Sequence, residues 1–264
     1  MTNKYQLTNE MARVTLNEIT SNPEKWIEFL DTASNNYKYD FNEQVLIFAQ
    51  KPNATACADI ETWNKRLRRW VNKGAKGIAL ISIENGRTIL RHVFDISDTH
   101  SGINQELKLW EVKESYHNGI IETLENSFGD LVIKNNLGEA IYSATQNLVE
   151  DNMNDYLKEL KDVLDNSSLS NMEENQIDGN FITLLTNSIT YMVMKRCGLD
   201  PNIEFDVNSF NEIKNFDTRQ VASRLGAAIS DIAEQELREI YSTVQNIEKS
   251  INNKNYTFVN NKNK

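Results

Sequence analysis

The sequence predicts an α+β fold: N-terminal helices with a small sheet containing a β-hairpin, followed by a mainly helical C-terminal half. Three observations carry this. Apolar residues recur at helical spacing in the first fifty residues and again from 138 to 251. Between these stretches, residues 78–83 and 88–96 are rich in β-formers and meet at Asn85-Gly86, a strong short hairpin signal. The chain has 264 residues, 39% hydrophobic and 25% charged, enough length and apolar content for a folded core.

In chain order, Leu7, Met11, Val14 and Ile19 give the first helix its apolar spacing, with Thr8 as N-cap. Asn22-Pro23-Glu24 starts a second helix, with Asn22 capping and Pro23 in the first turn. Its buried stripe is Trp26, Phe29, Leu30 and Ala33. Tyr37, Tyr39 and Phe41 share one face if 37–41 is extended. Asn42 caps a third helix carrying Val45, Leu46, Phe48 and Ala49. Residues 60–71 read as a helix capped by Asp59, with Trp63, Leu67, Trp70 and Val71 as its stripe. Gly74 is then its left-handed C-terminal residue.

After the hairpin, 108–112 reads as a short extended segment, 118–128 as a helix and 131–133 as a strand. Residues 138–164 are helical, 166–180 a polar loop or linker, and 181–197 a helix apolar on most of its surface. Gly198 and Pro201 stop that helix, in which Met192 and Met194 are core residues. Asp217 caps a last helix running to about residue 251. In it, Gly226-Ala227-Ala228 predicts close approach to a neighbour.

Charge divides the chain unevenly. The net charge is −10. Yet residues 60–92 hold Lys65, Arg66, Arg68, Arg69, Lys73, Lys76, Arg87 and Arg91 against Glu61 and Glu84. That local excess of +6 leaves −16 for the rest. Such an island either faces an anionic partner or pairs with the chain's own acidic half. No apolar run is long enough to span a bilayer, and the first residues have no secretory apolar core. Two distant cysteines and three histidines give no disulfide framework and no zinc pattern, so a reducing cytoplasm is expected and no metal or cofactor is assigned. Asp95, Asp98 and His100 are the one set from which a metal-dependent nuclease could be imagined. Turn capping is the simpler role for them.

The stretch 42–98 resembles the N-terminal domain of ArdC-type antirestriction proteins, also found at the start of large helicase/methylase proteins of Gram-positive conjugative elements. The likeness is carried by Asn42-x-Gln44 with Leu46, Pro52-x-Ala54-Thr55, and Thr62-Trp63. It continues through Arg69-x-Val71-x-Lys73-Gly74-x-Lys76-Gly77-Ile78 and Val93-Phe94-Asp95. Weaker likeness runs through Tyr191-Met192-x-Met194-x-Arg196-Cys197-Gly198-Leu199-Asp200 and Ser230-Asp231-Ile232-Ala233-Glu234. Gly74-Ala75-Lys76-Gly77 also resembles the GxxG clamp of KH modules. That clamp joins two helices, and this one is read as joining a helix to a strand, so the identification is rejected.

The ArdC resemblance implies an α+β domain that binds single-stranded DNA. It divides the chain into a DNA-binding domain (1–112), a helical domain packed on it (113–251) and a flexible tail (252–264). The HExxH of the ArdC protease-like half and the phosphate loop of the helicases are both missing from this sequence, so no catalytic residue is assigned. Expected DNA-binding residues are the cations Lys65, Arg66, Arg68, Arg69, Lys73, Lys76, Arg87 and Arg91 on phosphates. Tyr37, Tyr39 and Trp63 would stack on bases, and Asn42 and Gln44 would hydrogen-bond. The competing expectation is an acidic protein-interaction module or an inhibitor of a host DNA-targeting defence protein, its acidic part mimicking DNA; the protein partners expected are a host defence protein or the conjugation machinery.

Overall fold

The structure is a computed structural model and describes residues 3–84, 86–102 and 107–262. Three helices come first: α1 (Lys4–Ile19), α2 (Pro23–Asn35) and α3 (Phe41–Gln50). Five short strands follow: β1 (Cys57–Ala58), β2 (Arg69–Val71), β3 (Ile78–Glu84), β4 (Arg87–Asp95) and β5 (Thr99–Ser101). Four more α-helices follow: α4 (His117–Phe128), then the longer α5 (Leu137–Lys161), α6 (Glu174–Arg196) and α7 (Arg219–Lys262). The fold is α+β, with a small antiparallel sheet and a helical C-terminal half.

The sheet has the order β1-β4-β3, and β2 pairs with β5 as a separate two-stranded ribbon. The β3–β4 hairpin pairs from Ile78↔Val93 out to Glu84↔Arg87. Gly86 takes φ +73, as a tight hairpin turn requires. Asn85, the other half of the expected turn, lies outside the described residues.

Helix α3 lies between the two halves. Leu46 and Ile47 join Ala54, Ile78, Leu80 and Val93 in a small core beneath the sheet. Phe41, Val45 and Phe48 belong to the main core instead. That core runs without a break from Leu16 on α1 and Trp26 on α2 to Val244 on α7, so residues from both 1–112 and 113–251 build it. Polar side chains of α3 satisfy the sheet they face. Gln50 accepts from the Ala79 N–H at 2.9 Å and donates to the Ala79 carbonyl at 2.9 Å. Glu43 pairs with Arg91 at 2.7 Å.

On the bundle side, α2 is tied to α6 by the Trp26 indole donating to Ser188 (2.9 Å) and the Tyr191 hydroxyl donating to Asp31 (2.9 Å). Helix α6 is buried along most of its length, Met192 and Met194 included, as its all-round apolar sequence implies. Gly198 takes φ +78 just past its end, the expected left-handed stop. At Gly226 the approach of α7 is closer than any side chain permits. A β-carbon there would stand 2.3 Å from the Phe41 ring.

Several expectations are corrected. The apolar stripe of α1 faces outward: Leu7, Met11 and Val14 are 56%, 38% and 51% exposed. The buried face carries Thr8, Thr15, Leu16 and Ile19, with the Thr8 hydroxyl satisfied by the Lys4 carbonyl at 3.0 Å. Asn3, not Thr8, caps α1, and Asp40, not Asn42, caps α3. Tyr37 and Tyr39 lie in the turn before α3, not on a strand. Segments 108–112 and 131–133 form no strand. Helix α6 starts within the expected loop, on a capping box between Glu173 and Gln176. Helix α7 continues past residue 251 to Lys262, where a flexible tail was expected.

The largest correction concerns 60–71. Only a π-helical turn, Thr62–Arg66, forms there. Arg68 takes φ +51, which breaks the helix, and 69–71 become β2. Pairing of Arg69, Trp70 and Val71 with Ser101, His100 and Thr99 outweighs the local helical periodicity. Gly74 has its left-handed φ of +87, but in a turn after a strand.

One carboxyl is wholly interior. Glu236 on α7 accepts from the Thr145 hydroxyl through Oε2 at 2.9 Å, while Oε1 has no partner. Burial pushes its pKa up to about 8.

Two outcomes follow from this packing. Gly226→Ala is expected to destabilise the fold by about 1–3 kcal/mol, because overpacking Phe41 outweighs the gain in helix propensity. Urea denaturation measures it. Glu236 holds its proton in the folded state up to about pH 8, whereas the unfolded group releases it near ~4.3. Its contribution is therefore greatest below the unfolded pKa and is lost as pH rises through the folded one. Glu236→Gln is expected to flatten the fall in stability across that window, read from denaturation midpoints at a series of pH values.

Candidate nucleic-acid interface

Residues quoted for the resemblance meet in space, and Gln44, Leu46, Ala54, Trp63, Ile78, Val93 and Asp95 among them are buried. Asp95 ends β4 and is 1% exposed. Its carboxylate accepts from the backbone N–H groups of Thr55 (2.7 Å), Ala56 (3.0 Å) and Ser97 (3.0 Å). Burial works to raise its pKa, but these hydrogen bonds outweigh it and hold the carboxyl below its usual value. The Pro52-x-Ala54-Thr55 turn is thereby clamped to the end of Val93-Phe94-Asp95. Trp63 closes the same corner: it is buried, and its indole N–H donates to the Phe94 carbonyl at 2.8 Å.

Gln44 is likewise interior. Its amide donates to the Tyr39 carbonyl (2.9 Å), and its oxygen accepts from the Ser230 hydroxyl on α7 (3.1 Å). Two stretches of the resemblance that lie far apart in sequence are thus hydrogen-bonded to each other. Arg196, from the third, stacks on Trp110 at 3.6 Å and donates to its carbonyl.

This geometry corrects part of the expected DNA-binding set. Trp63 and Gln44 are buried framework and cannot reach a base. Tyr37 is buried, edge-on to Trp110 at 6.5 Å. Tyr39 is half-buried, with its hydroxyl given to the Cys57 carbonyl (2.8 Å) and its ring against Arg91 (5.5 Å). Burial pushes its pKa up. Arg91 is committed to Glu43. Arg69 donates to the Thr99 hydroxyl (2.7 Å) and carbonyl (3.0 Å), so it holds the ribbon together. Lys65 is exposed but paired with Glu61 at 2.8 Å. Asn42 stands exposed in the first turn of α3.

Five of the expected cations remain. Arg66, Arg68, Lys73, Lys76 and Arg87 are exposed, and the first four make no ion pair among the described residues. Four of them flank the ribbon along the chain. Arg87 stands at the hairpin tip, about 20 Å from Lys76 at the usual strand rise. The ribbon packs on the π-helical turn and on the short 3-10 turn Ile96–Asp98, so the acidic C-terminal bundle does not bury it.

The sequence reading missed Trp70. It was assigned to a helical stripe, but on β2 it is 45% exposed. Its cross-strand partner is His100, with ring centroids 6.4 Å apart, and the His100 ring is steadied by Asn72 at 2.7 Å. Gly102 lies against the indole, where a β-carbon would come within 3.1 Å. The signal that could have found it is local: Arg69-Trp70-Val71 also reads as a three-residue strand closed by a glycine turn.

Asp95 and Asp98 converge on a lysine, and His100 does not join them. Asp95 is spent on backbone N–H groups and shares the Lys51 ammonium (3.8 Å) with Asp98 (2.7 Å), so a lysine already occupies the point between the two carboxylates, while His100 faces Asn72. No group of three or more His, Cys, Asp or Glu side chains with metal-binding placement occurs among the described residues. Cys57 and Cys197 are both free thiols. No helix among the described residues is long and apolar enough to cross a membrane. No family profile, curated protein or solved structure matches the chain.

Asp95→Asn keeps the volume but places an amide against three N–H donors. It is expected to cost about 1–3 kcal/mol, most of it above the carboxyl's folded pKa, since a depressed carboxyl stabilises when ionised. Thermal unfolding at neutral and acid pH is the check, with the difference from wild type narrowing as pH falls.

Proposed function

We propose that this protein binds single-stranded DNA without catalysis, as a cytoplasmic accessory of a mobile genetic element, in antirestriction or conjugative transfer. One observation carries the reading. A half-exposed Trp70 stands on a ribbon whose neighbouring cations, Arg66, Arg68, Lys73 and Lys76, have no ion-pair partner among the described residues. A stacking aromatic beside unneutralised cations is what sequence-tolerant single-strand binding requires. The resemblance of 42–98 to the ArdC N-terminal domain supports the same reading. His100 widens the platform as the neighbour of Trp70. The framework behind it, Asp95, Trp63 and Gln44, holds the platform in place.

The second reading is an acidic interaction module that meets a host defence protein or the conjugation machinery. The observation that favours it is the excess of about −16 outside 60–92, carried largely by the helical half.

Fluorescence anisotropy with a labelled oligonucleotide separates the two. Neutralising four phosphates is expected to give a log–log salt slope of about −3 for a single strand. Trp70→Ala is expected to weaken binding by about 1–3 kcal/mol, the worth of one stacked base. Arg66→Glu with Lys73→Glu should abolish binding at moderate salt while leaving the unfolding midpoint nearly unchanged, since neither side chain has an ion-pair partner among the described residues. Absence of binding at low salt overturns the DNA reading and favours the second.

A further inference from the structure

Helix α1 carries an apolar stripe that the described residues leave uncovered: Leu7, Met11 and Val14 are 56%, 38% and 51% exposed. The three are in register. Lys4, Leu7, Met11, Val14 and Glu18 follow one another at steps of three, four, three and four residues, and all five are exposed. That is the heptad spacing of a coiled-coil seam. The seam also looks away from the bundle. Asn9 accepts from Arg219, at the start of α7, at 3.2 Å. Asn9 and Met11 are two residues apart, so they stand about 160° apart around the helix axis. The face that packs inward carries Thr8, Thr15, Leu16 and Ile19 instead.

Two observations say what covers the seam. The first is that its ends carry opposite charges. Lys4 and Glu18 each lie seven residues from Met11. Turned end for end about Met11, the seam therefore sets Lys4 against Glu18 at both ends and Met11 against its own copy. Both charges are open to this. Lys4 makes no ion pair among the described residues. Glu18 reaches Lys25 on α2 only at 4.0 Å, and that lysine is held by Glu28 at 2.7 Å. The second observation is that both charges oppose their own helix. The first turn of α1 has no acidic residue and the last turn no basic one. Lys4 and Glu18 thus stand at the wrong ends of the helix dipole. In an antiparallel pair each lies beside the favourable end of the other helix.

We infer that a second copy of this chain docks on this face, α1 against α1, antiparallel about a two-fold axis at Met11. Such a contact is isologous and closes on itself. Parallel pairing is excluded, because it would oppose Lys4 to Lys4 and Glu18 to Glu18. Charge also favours this face over others. Helix α1 holds Lys4 and Arg13 against Glu10 and Glu18 and is neutral, in a chain of net charge −10, so repulsion between copies is least here. The seam is short, so the dimer is reversible, with a dissociation constant on the order of 10–100 µM. None of this depends on the DNA-binding reading.

Sedimentation velocity on the full chain tests it. The wild type is expected to pass reversibly from monomer to dimer between about 1 µM and 1 mM. Met11→Glu puts two carboxylates on the axis and should leave a monomer throughout. Its unfolding midpoint should be nearly unchanged, because Met11 lies outside the core. A charge exchange then tests the pairing itself. Lys4→Glu gives a copy with carboxylates at both ends of the seam, and Glu18→Lys a copy with ammonium groups at both. Both changes suit the helix dipole, so neither endangers the fold. Each variant alone should self-associate about tenfold more weakly than wild type, and an equimolar mixture should recover the dimer, since only the mixed pair has opposite charges at both ends. The inference is overturned if the wild type stays monomeric up to about 1 mM. It is equally overturned if Met11→Glu dimerises as wild type does, or if the mixture associates no better than either variant alone.

Discussion

Helix α3 buries two opposite faces at once, and the arrangement of the rest depends on that. A helix with one apolar stripe can hold one layer. Here Leu46 and Ile47 anchor the sheet, while Phe41, Val45 and Phe48 enter the bundle. The polar residues between them are spent as well. Glu43, Gln44 and Gln50 are used on Arg91, on the turn before the helix and α7, and on the backbone of β3. A ten-residue helix with this much of its surface committed has little freedom to shift. The missing side chain at Gly226 lets α7 press on Phe41, which sets the distance between bundle and helix.

That rigidity reaches the ribbon through Asp95 and Trp63. Both close the corner where β4 leaves the sheet, Asp95 by collecting N–H groups and Trp63 by donating to Phe94. The ribbon itself makes little contact with the helices, so its outer face is not required for folding. This separation explains why the cations there can remain unneutralised in a protein of net charge −10. Glu43 and Thr99, which engage Arg91 and Arg69, lie in the framework, and neither cation counts toward an open surface.

The interior of the bundle is less uniform than its apolar sequence suggests. Glu236 and Thr190 are buried with an unpaired oxygen each. They differ in setting. Glu236 is sealed among helices and answers burial by keeping its proton. Thr190 is among the residues lining a cavity, yet its Oγ1 is itself closed off and stays unpaired. An ionisable group can lower the cost of burial by staying neutral, whereas a hydroxyl has no such route.

Local chemistry alone determined a good deal: the hairpin, the stop at Gly198, the caps at Asn22 and Asp59, the central α6 and the close approach at Gly226. Each rests on backbone restriction or on periodicity within a few residues, which sequence records directly. The basic island was legible for the same reason, since charge is a property of composition. Which cations stay open was not legible, because Arg69 and Arg91 are claimed by Thr99 and Glu43, thirty or more residues away. Periodicity also could not say which side of α1 has neighbours, so Leu7, Met11 and Val14 face outward against expectation. Only tertiary structure decided the exchange between the two tryptophans. Pairing with β5 turned 69–71 from helix to strand, and that non-local ladder sent Trp63 inward and left Trp70 at the surface.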